Sequence, residues 1–152
     1  RRRNAGRFLF LAETGLVPMT PLTSTSWACR LSLVAGALDT CTGLGLVFFP
    51  GLVLPLMRVP LPTWDGWVFL RFVGAFVAAV GMTYLWALCA PRERLRVVLG
   101  ATVIFRLAAG GYSLAAVVGG QLGLAWASVP ATDLALVIAQ LWLLSKGAGR
   151  HE

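Results

Sequence analysis

The order of apolar and polar positions along the chain predicts four membrane-spanning helices. Apolar runs of about 20 residues or more, the length that a helix needs to cross a bilayer, occupy residues 27–49, 66–90, 97–120 and 122–145. Pro50 and Pro91 close the first two runs, and a short glycine-rich turn separates the last two. In the fourth run, Pro130 predicts either a kink or a helix start after Ser128. We therefore expect an all-α integral membrane four-helix bundle.

The remaining segments are short and are predicted to form tails and connections. Residues 1–26 are expected to be a basic tail that is disordered or lies on the membrane, and residues 146–152 a short C-terminal tail. Residues 50–65 contain four prolines, which favours a broken, interface-lying connection over one continuous helix. Residues 91–96, PRERLR, are predicted to form a tight basic loop.

The first 18 residues receive little functional weight. The chain begins with Arg1, whereas Met19 opens the stretch MTPLTSTSW, which has the form of a native start. We interpret residues 1–18 as a segment that is processed, truncated or an upstream extension.

Composition and charge agree with a membrane protein. Hydrophobic residues make up 58% of the chain and charged residues 12%, and the mean hydropathy is +0.79, which leaves too little polar surface to cover a soluble globule. The net charge of +7 comes from cations at predicted helix ends and loops, so we expect lipid headgroups and no nucleic acid as partners.

The distribution of cations predicts the orientation of the helices in the membrane. With four spans, both termini and the loop at residues 91–96 share one side, whereas Arg58 and Arg71 belong to the other side. The first side holds ten cations: Arg1, Arg2, Arg3, Arg7, Arg30, Arg92, Arg94, Arg96, Lys146 and Arg150. By the positive-inside rule, both termini are expected to be cytoplasmic.

Polar residues inside the apolar runs are the candidate site, because charges in a membrane span normally face other helices or a wet cavity. Arg106 lies near the middle of the third run, beside a small-xxx-small ridge of Gly111, Ala115 and Gly119, a pattern typical of close helix packing. The predicted protein-facing sides of the other runs are Ser32, Gly36, Asp39 and Gly43 in the first, Arg71, Gly74, Ala78, Gly81 and Tyr84 in the second, and Asp133 and Gln140 in the fourth.

These intramembrane charges have two interpretations. Counted at about 1.5 Å per helical residue, Asp39, Arg106 and Asp133 reach similar depths near the midplane, and the long side chain of Arg71 could extend towards Asp39. The cluster could be a pocket for a proton, an anion or a quinone headgroup. The simpler interpretation is interhelical ion pairs, because two acids and two arginines balance without a ligand.

The sequence offers little else for chemistry. Cys29 and Cys89 are predicted near the cytoplasmic ends of adjacent helices, where a redox pair is geometrically feasible, but ordinary buried thiols are the expectation in a reducing compartment. His151 is the only histidine and lies at the C-terminus, so this chain alone supplies neither a bis-histidine haem site nor a histidine-rich metal site. No metal and no cofactor are expected, a quinone being the one exception considered.

Four stretches carry a resemblance to a known family: ALDTCTGLGLVFFP, FLRFVGAFVAAVGMTYLWALCAPRERLR, the arginine within the third run, and ATDLALVIAQLWLL. Over residues 27–145 the chain resembles the DoxX-like small four-helix bacterial membrane proteins. The resemblance implies a bacterial inner-membrane bundle, and some relatives are associated with quinone-linked sulfur oxidation or redox-stress complexes. Asp39, Arg71, Arg106 and Asp133 are the positions that would align with the family's polar pattern.

Two functions follow as expectations. The first is a non-catalytic accessory subunit of a larger respiratory, photosynthetic or similar membrane complex, because the chain is small, has minimal loops and lacks a recognisable catalytic motif. The alternative is a DoxX-like oxidoreductase component or small carrier that binds a quinone or an anion at the Asp39, Arg106 and Asp133 pocket. Of these two functions, the accessory subunit is favoured, and we expect that the chain is not an enzyme.

Overall fold

The computed structural model describes residues 21–89 and 92–148, and this part of the chain is helical without strands. Five α-helices follow in order: α1 (Pro21–Phe48), α2 (Pro50–Leu56), α3 (Trp64–Leu88), α4 (Arg92–Val118) and α5 (Ser128–Ser145). One turn of 3₁₀ helix, Leu124–Ala127, precedes α5. The predictions for residues 1–20, 90–91 and 149–152 lie outside the described residues.

Four of these helices are long and apolar enough to cross a membrane. The candidate spans are Thr25–Phe48, Asp65–Leu88, Glu93–Val118 and Leu124–Ser145, in good agreement with the four predicted runs. Only 22–28% of each span is buried inside the chain. The outward surfaces carry large apolar side chains such as Phe69, Ile104 and Ile138, which suits them to lipid.

Two helix starts differ from the sequence prediction. Helix α1 begins at Pro21, so the end of the predicted tail at residues 1–26 is helical, and α4 begins at Arg92, so most of the predicted loop at residues 91–96 is the first turn of a helix. Helices continue past the apolar run because the backbone hydrogen bonds that define them form equally well beside polar side chains. Of the two alternatives predicted from Pro130, the structure has the helix start rather than the kink: α5 begins at Ser128, with Pro130 in its first turn.

The long helices alternate in direction. Near one end, a core cluster joins Ala28 of α1, Ala87 of α3, Leu95 of α4 and Leu143 of α5. Near the other end, Leu46 and Leu54 pack with Trp67 and Trp126. Each helix therefore runs opposite to the next long helix in the chain, and the short helix α2 covers the second end.

Glycines bring α1 and α3 into close contact. A Cβ atom added to Gly36 would lie 2.9 Å from Cβ of Tyr84 and 3.0 Å from the carbonyl oxygen of Gly81. Seven residues further along, Gly43 faces Gly74 in the same way. The two helices thus approach nearly backbone to backbone, as small residues permit in membrane proteins.

Candidate functional site

Arg106 is the centre of the candidate site. Its side chain is 4% exposed, and it bonds to carboxylates on two other helices. Nη1 donates to Oδ1 of Asp133 on α5 at 2.5 Å, and Nη2 donates to Oδ2 of Asp39 on α1. One guanidinium group therefore ties three helices together.

Tyr84 and Gln140 extend the same network to the fourth long helix. Nε of Arg106 donates to the Tyr84 hydroxyl at 3.1 Å, and Nε2 of Gln140 donates to that hydroxyl as well. Nε2 of Gln140 also lies 3.3 Å from Oγ1 of Thr102, on α4. Tyr84 and Gln140 are fully buried, so the polar network lies within the helical bundle.

Small residues make room for these long side chains. A Cβ atom added to Gly110 would lie 2.9 Å from Cβ of Asp133, so this glycine lets α5 bring the carboxylate close to α4. Gly110 follows Arg106 by four residues and shares its helix face, whereas Gly111 points about 140° away at 100° per residue. The predicted ridge of Gly111, Ala115 and Gly119 is consequently exposed, and nothing lies within 4 Å of a Cβ placed at Gly111.

The sequence prediction for Arg71 is wrong in one respect. Arg71 is exposed and forms no ion pair with a described residue, and Asp39 bonds to Arg106 instead. Helical geometry explains the error, because Arg71 lies about 140° around α3 from Tyr84 at 100° per residue. The expected balance of two acids with two arginines therefore does not exist; two carboxylates share one guanidinium.

Arg71 belongs to an outer groove. With Phe48, Leu52 and Trp67 it lines an open, mostly apolar cavity of about 650 Å³ beside the short helix α2. This groove is separate from the network around Arg106, with which it shares no lining residue.

The thiols are more exposed than expected. Cys29 is half-buried, Cys41 and Cys89 are exposed, and the three are free. The expectation of an ordinary buried thiol is thus wrong for Cys89, whereas Cys41 lies within the candidate span Thr25–Phe48. Among the residues that the structure describes, no group of three histidine, cysteine or acidic side chains could hold a metal ion.

Sequence reasoning identified Asp39, Arg106, Asp133 and Gln140, and the structure brings these four together. It placed Tyr84 on the packing face of its helix without assigning it to the site, and it did not single out Thr102. Tyr84 could have been assigned to the site from its spacing, because it follows Gly81 by three residues on the glycine-lined face of α3. Thr102 precedes Arg106 by four residues and therefore shares its face.

Comparison with known proteins finds no matching family model, no matching curated protein and no matching solved structure. The resemblance to the DoxX-like proteins therefore stays a prediction from the sequence motifs.

Proposed function

We propose that this chain is a small, non-catalytic accessory subunit that packs against other subunits of a larger membrane complex. The observation that carries the proposal is the exposed ridge of Gly111 and Ala115 on α4 and Gly119 directly after its last residue. In a membrane, small residues spaced by four let another helix approach closely, and this packing drives association where lipid offers no hydrophobic gain.

The α1 and α3 pair supports this use of the ridge. Gly36 and Gly43 in this chain are already occupied by close approach of α3, whereas nothing in the described residues approaches Gly111. The described part of the chain thus uses glycine faces for helix packing and leaves the face of Gly111 uncovered. A partner helix is the natural occupant of that face.

The charge network supports a structural role as well. Each of the three guanidinium nitrogens of Arg106 already donates to a side chain of this chain: Asp39, Asp133 or Tyr84. Three of the five N–H groups of Arg106 are thus used within the chain, and a quinone or an anion would find two left on a side chain that is 4% exposed. The network is therefore better suited to holding the helices together than to binding a ligand.

We further propose a bacterial inner-membrane location with both termini cytoplasmic, in a DoxX-like family setting. The support is the clustering of cations at one end of the helices. Arg30, Arg94, Arg96 and Lys146 lie at the end where α1 and α4 begin and α3 and α5 finish. Arg94 packs over the Trp86 ring at 3.9 Å, an arrangement typical of the membrane interface.

The test is purification from native membranes in mild detergent, followed by native electrophoresis and mass spectrometry. We expect stoichiometric comigration with larger subunits for the wild-type chain, and its loss in Gly111→Leu and Ala115→Leu. Ala37→Leu is the matched control, because Ala37 is an exposed small residue on α1 and its neighbour four residues earlier is the large Leu33. Migration of the wild-type chain alone, or retention of the complex in both ridge variants, would contradict the proposal.

The alternative function is a DoxX-like oxidoreductase component or small carrier that binds a quinone or an anion. One observation favours it: the side chains of Asp39 and Asp133 keep 13% and 14% exposure, so the site is not fully closed. Quinone and anion binding to the purified chain would be measured for wild type, Arg106→Leu and Asp133→Asn. Binding that is equal in all three removes this alternative.

A further inference from the structure

We propose that the Asp39, Arg106 and Asp133 cluster binds one exchangeable proton, which the two carboxyl groups share. This inference goes beyond the subunit role and does not depend on it. It rests on the number of charges inside the bundle and on a buried acceptor that has no donor.

The charges in the cluster do not balance. Two aspartates bond to one arginine, and Arg71, which also lies within a candidate span, is outside the network. With both carboxyl groups ionised, the cluster would carry one uncompensated negative charge among apolar helices. Such a charge is costly in a membrane, and two carboxyl groups that share a site hold a proton more readily than one alone.

The groups that face the cluster come from every long helix. Helix α1 contributes Asp39, α3 contributes Tyr84, α4 contributes Arg106, and α5 contributes Asp133 and Gln140. Arg106 is the one cation among them, and tyrosine and glutamine are neutral near neutral pH. No second positive charge in the network therefore compensates the second carboxylate.

The amide of Gln140 leaves one buried acceptor unpaired, which is a separate observation. Gln140 is fully buried, and its Nε2 donates to Tyr84 and Thr102, but its Oε1 has no hydrogen-bond partner. Buried acceptors normally have a partner. The amide of Gln140 is two hydrogen bonds from Arg106, so its unpaired oxygen belongs to the same buried network as the uncompensated carboxylate.

A proton removes the excess negative charge and leaves one ion pair with Arg106. One carboxyl group gains an O–H donor and becomes neutral, and the other remains ionised against Arg106. The proton comes from bulk water and returns there, so no other reactant takes part. The carboxyl side chains are the more accessible members, at 13% and 14% exposure against 4% for Arg106, and they are where exchange would occur.

The proposal is tested by infrared spectroscopy of the full chain in lipid nanodiscs, with its aspartates labelled with carbon-13. The chain contains three aspartates, Asp39, Asp65 and Asp133, so the label limits the signals to three carboxyl groups. Near neutral pH we expect the carbonyl stretch of one protonated aspartate per chain, and this band should shift when water is replaced by deuterium oxide.

Single substitutions give the decisive comparison. In Asp39→Asn or Asp133→Asn the remaining carboxylate balances Arg106, so the band of the protonated acid should disappear in each variant. Asp65→Asn is the control, because Asp65 is exposed at the start of α3, and its band should match wild type. If a variant fails to fold, the wild-type spectrum still decides the question. Absence of a protonated aspartate in wild type, or its persistence in both cluster variants, would overturn the proposal.

Discussion

Gly43 of α1 and Gly74 of α3 face each other so closely that neither position has room for a side chain. A Cβ atom on Gly43 would lie 2.5 Å from the carbonyl oxygen of Gly74, and one on Gly74 would lie 2.8 Å from the carbonyl oxygen of Gly43. Real Cβ atoms do not approach backbone oxygens at such distances. The contact between α1 and α3, on which the position of Asp39 depends, therefore requires glycine on both sides.

Gly43→Ala is expected to destabilise the chain by about 1–3 kcal/mol, because the two backbones must separate to admit a methyl group. Unfolding of the purified chain would be followed by circular dichroism in mixed micelles. Gly100→Ala is the matched control, because Gly100 is also helical but nothing lies within 4 Å of its added Cβ. The control should be neutral or gain about 0.5–1 kcal/mol from helix propensity. Equal effects of the two substitutions would contradict the close contact.

Much of the fold could be predicted from sequence because lipid imposes a simple pattern. The four apolar runs correspond to the four candidate spans, and the start of α5 at Ser128 is one of the two alternatives that Pro130 predicts. The helix starts at Pro21 and Arg92 could not be predicted by the same reasoning. Hydropathy predicts which part of a helix lies in lipid. It does not predict the first residue of the helix, because backbone hydrogen bonding can continue into polar sequence.

The site was predictable in its residue types but not in its charge balance. Asp39, Arg106, Asp133 and Gln140 stood out because polar groups within apolar runs must find partners. The partners of these groups depend on how each helix is rotated about its axis. The inward face that the residue spacing predicts for α3 includes Gly74, but it also includes Arg71. A small rotation separates a residue that points inward from one that faces the groove beside α2.

Arg106→Leu is expected to destabilise the chain strongly, by about 3–5 kcal/mol, because it leaves two carboxyl groups without their common partner. The measurement is the free energy of unfolding in mixed micelles. In Arg106→Leu combined with Asp39→Asn and Asp133→Asn, part of this loss should be recovered, because the uncompensated acids are gone.

Arg71→Leu is the control for the loss of an intramembrane arginine. Arg71 is exposed and has no ion pair in the described part of the chain, so its removal should change stability by less than about 1 kcal/mol. A loss as large as that of Arg106→Leu would mean that Arg71, rather than Arg106 alone, compensates the aspartates.

Tyr84→Phe is expected to cost about 1–3 kcal/mol, because it removes the hydroxyl that accepts from both Arg106 and Gln140 in a fully buried position. Tyr112→Phe provides the comparison, since the Tyr112 side chain is 73% exposed on α4 and should tolerate the change within about 0.5 kcal/mol. Both variants keep the aromatic ring, so the difference in their unfolding free energies measures the buried hydroxyl. Indistinguishable values would indicate that the hydroxyl does not contribute to the network.

Cys89 and Cys41 provide a test of the orientation in the membrane. Both thiols are exposed, but Cys89 follows the last residue of α3, whereas Cys41 lies within the candidate span Thr25–Phe48. A membrane-impermeant maleimide should therefore label a variant that keeps only Cys89 in inverted membrane vesicles and not in intact cells. A variant that keeps only Cys41 should react in neither preparation, because lipid covers that face. Labelling of Cys89 from outside intact cells would reverse the proposed topology, and rapid labelling of Cys41 in vesicles would place that part of α1 in water.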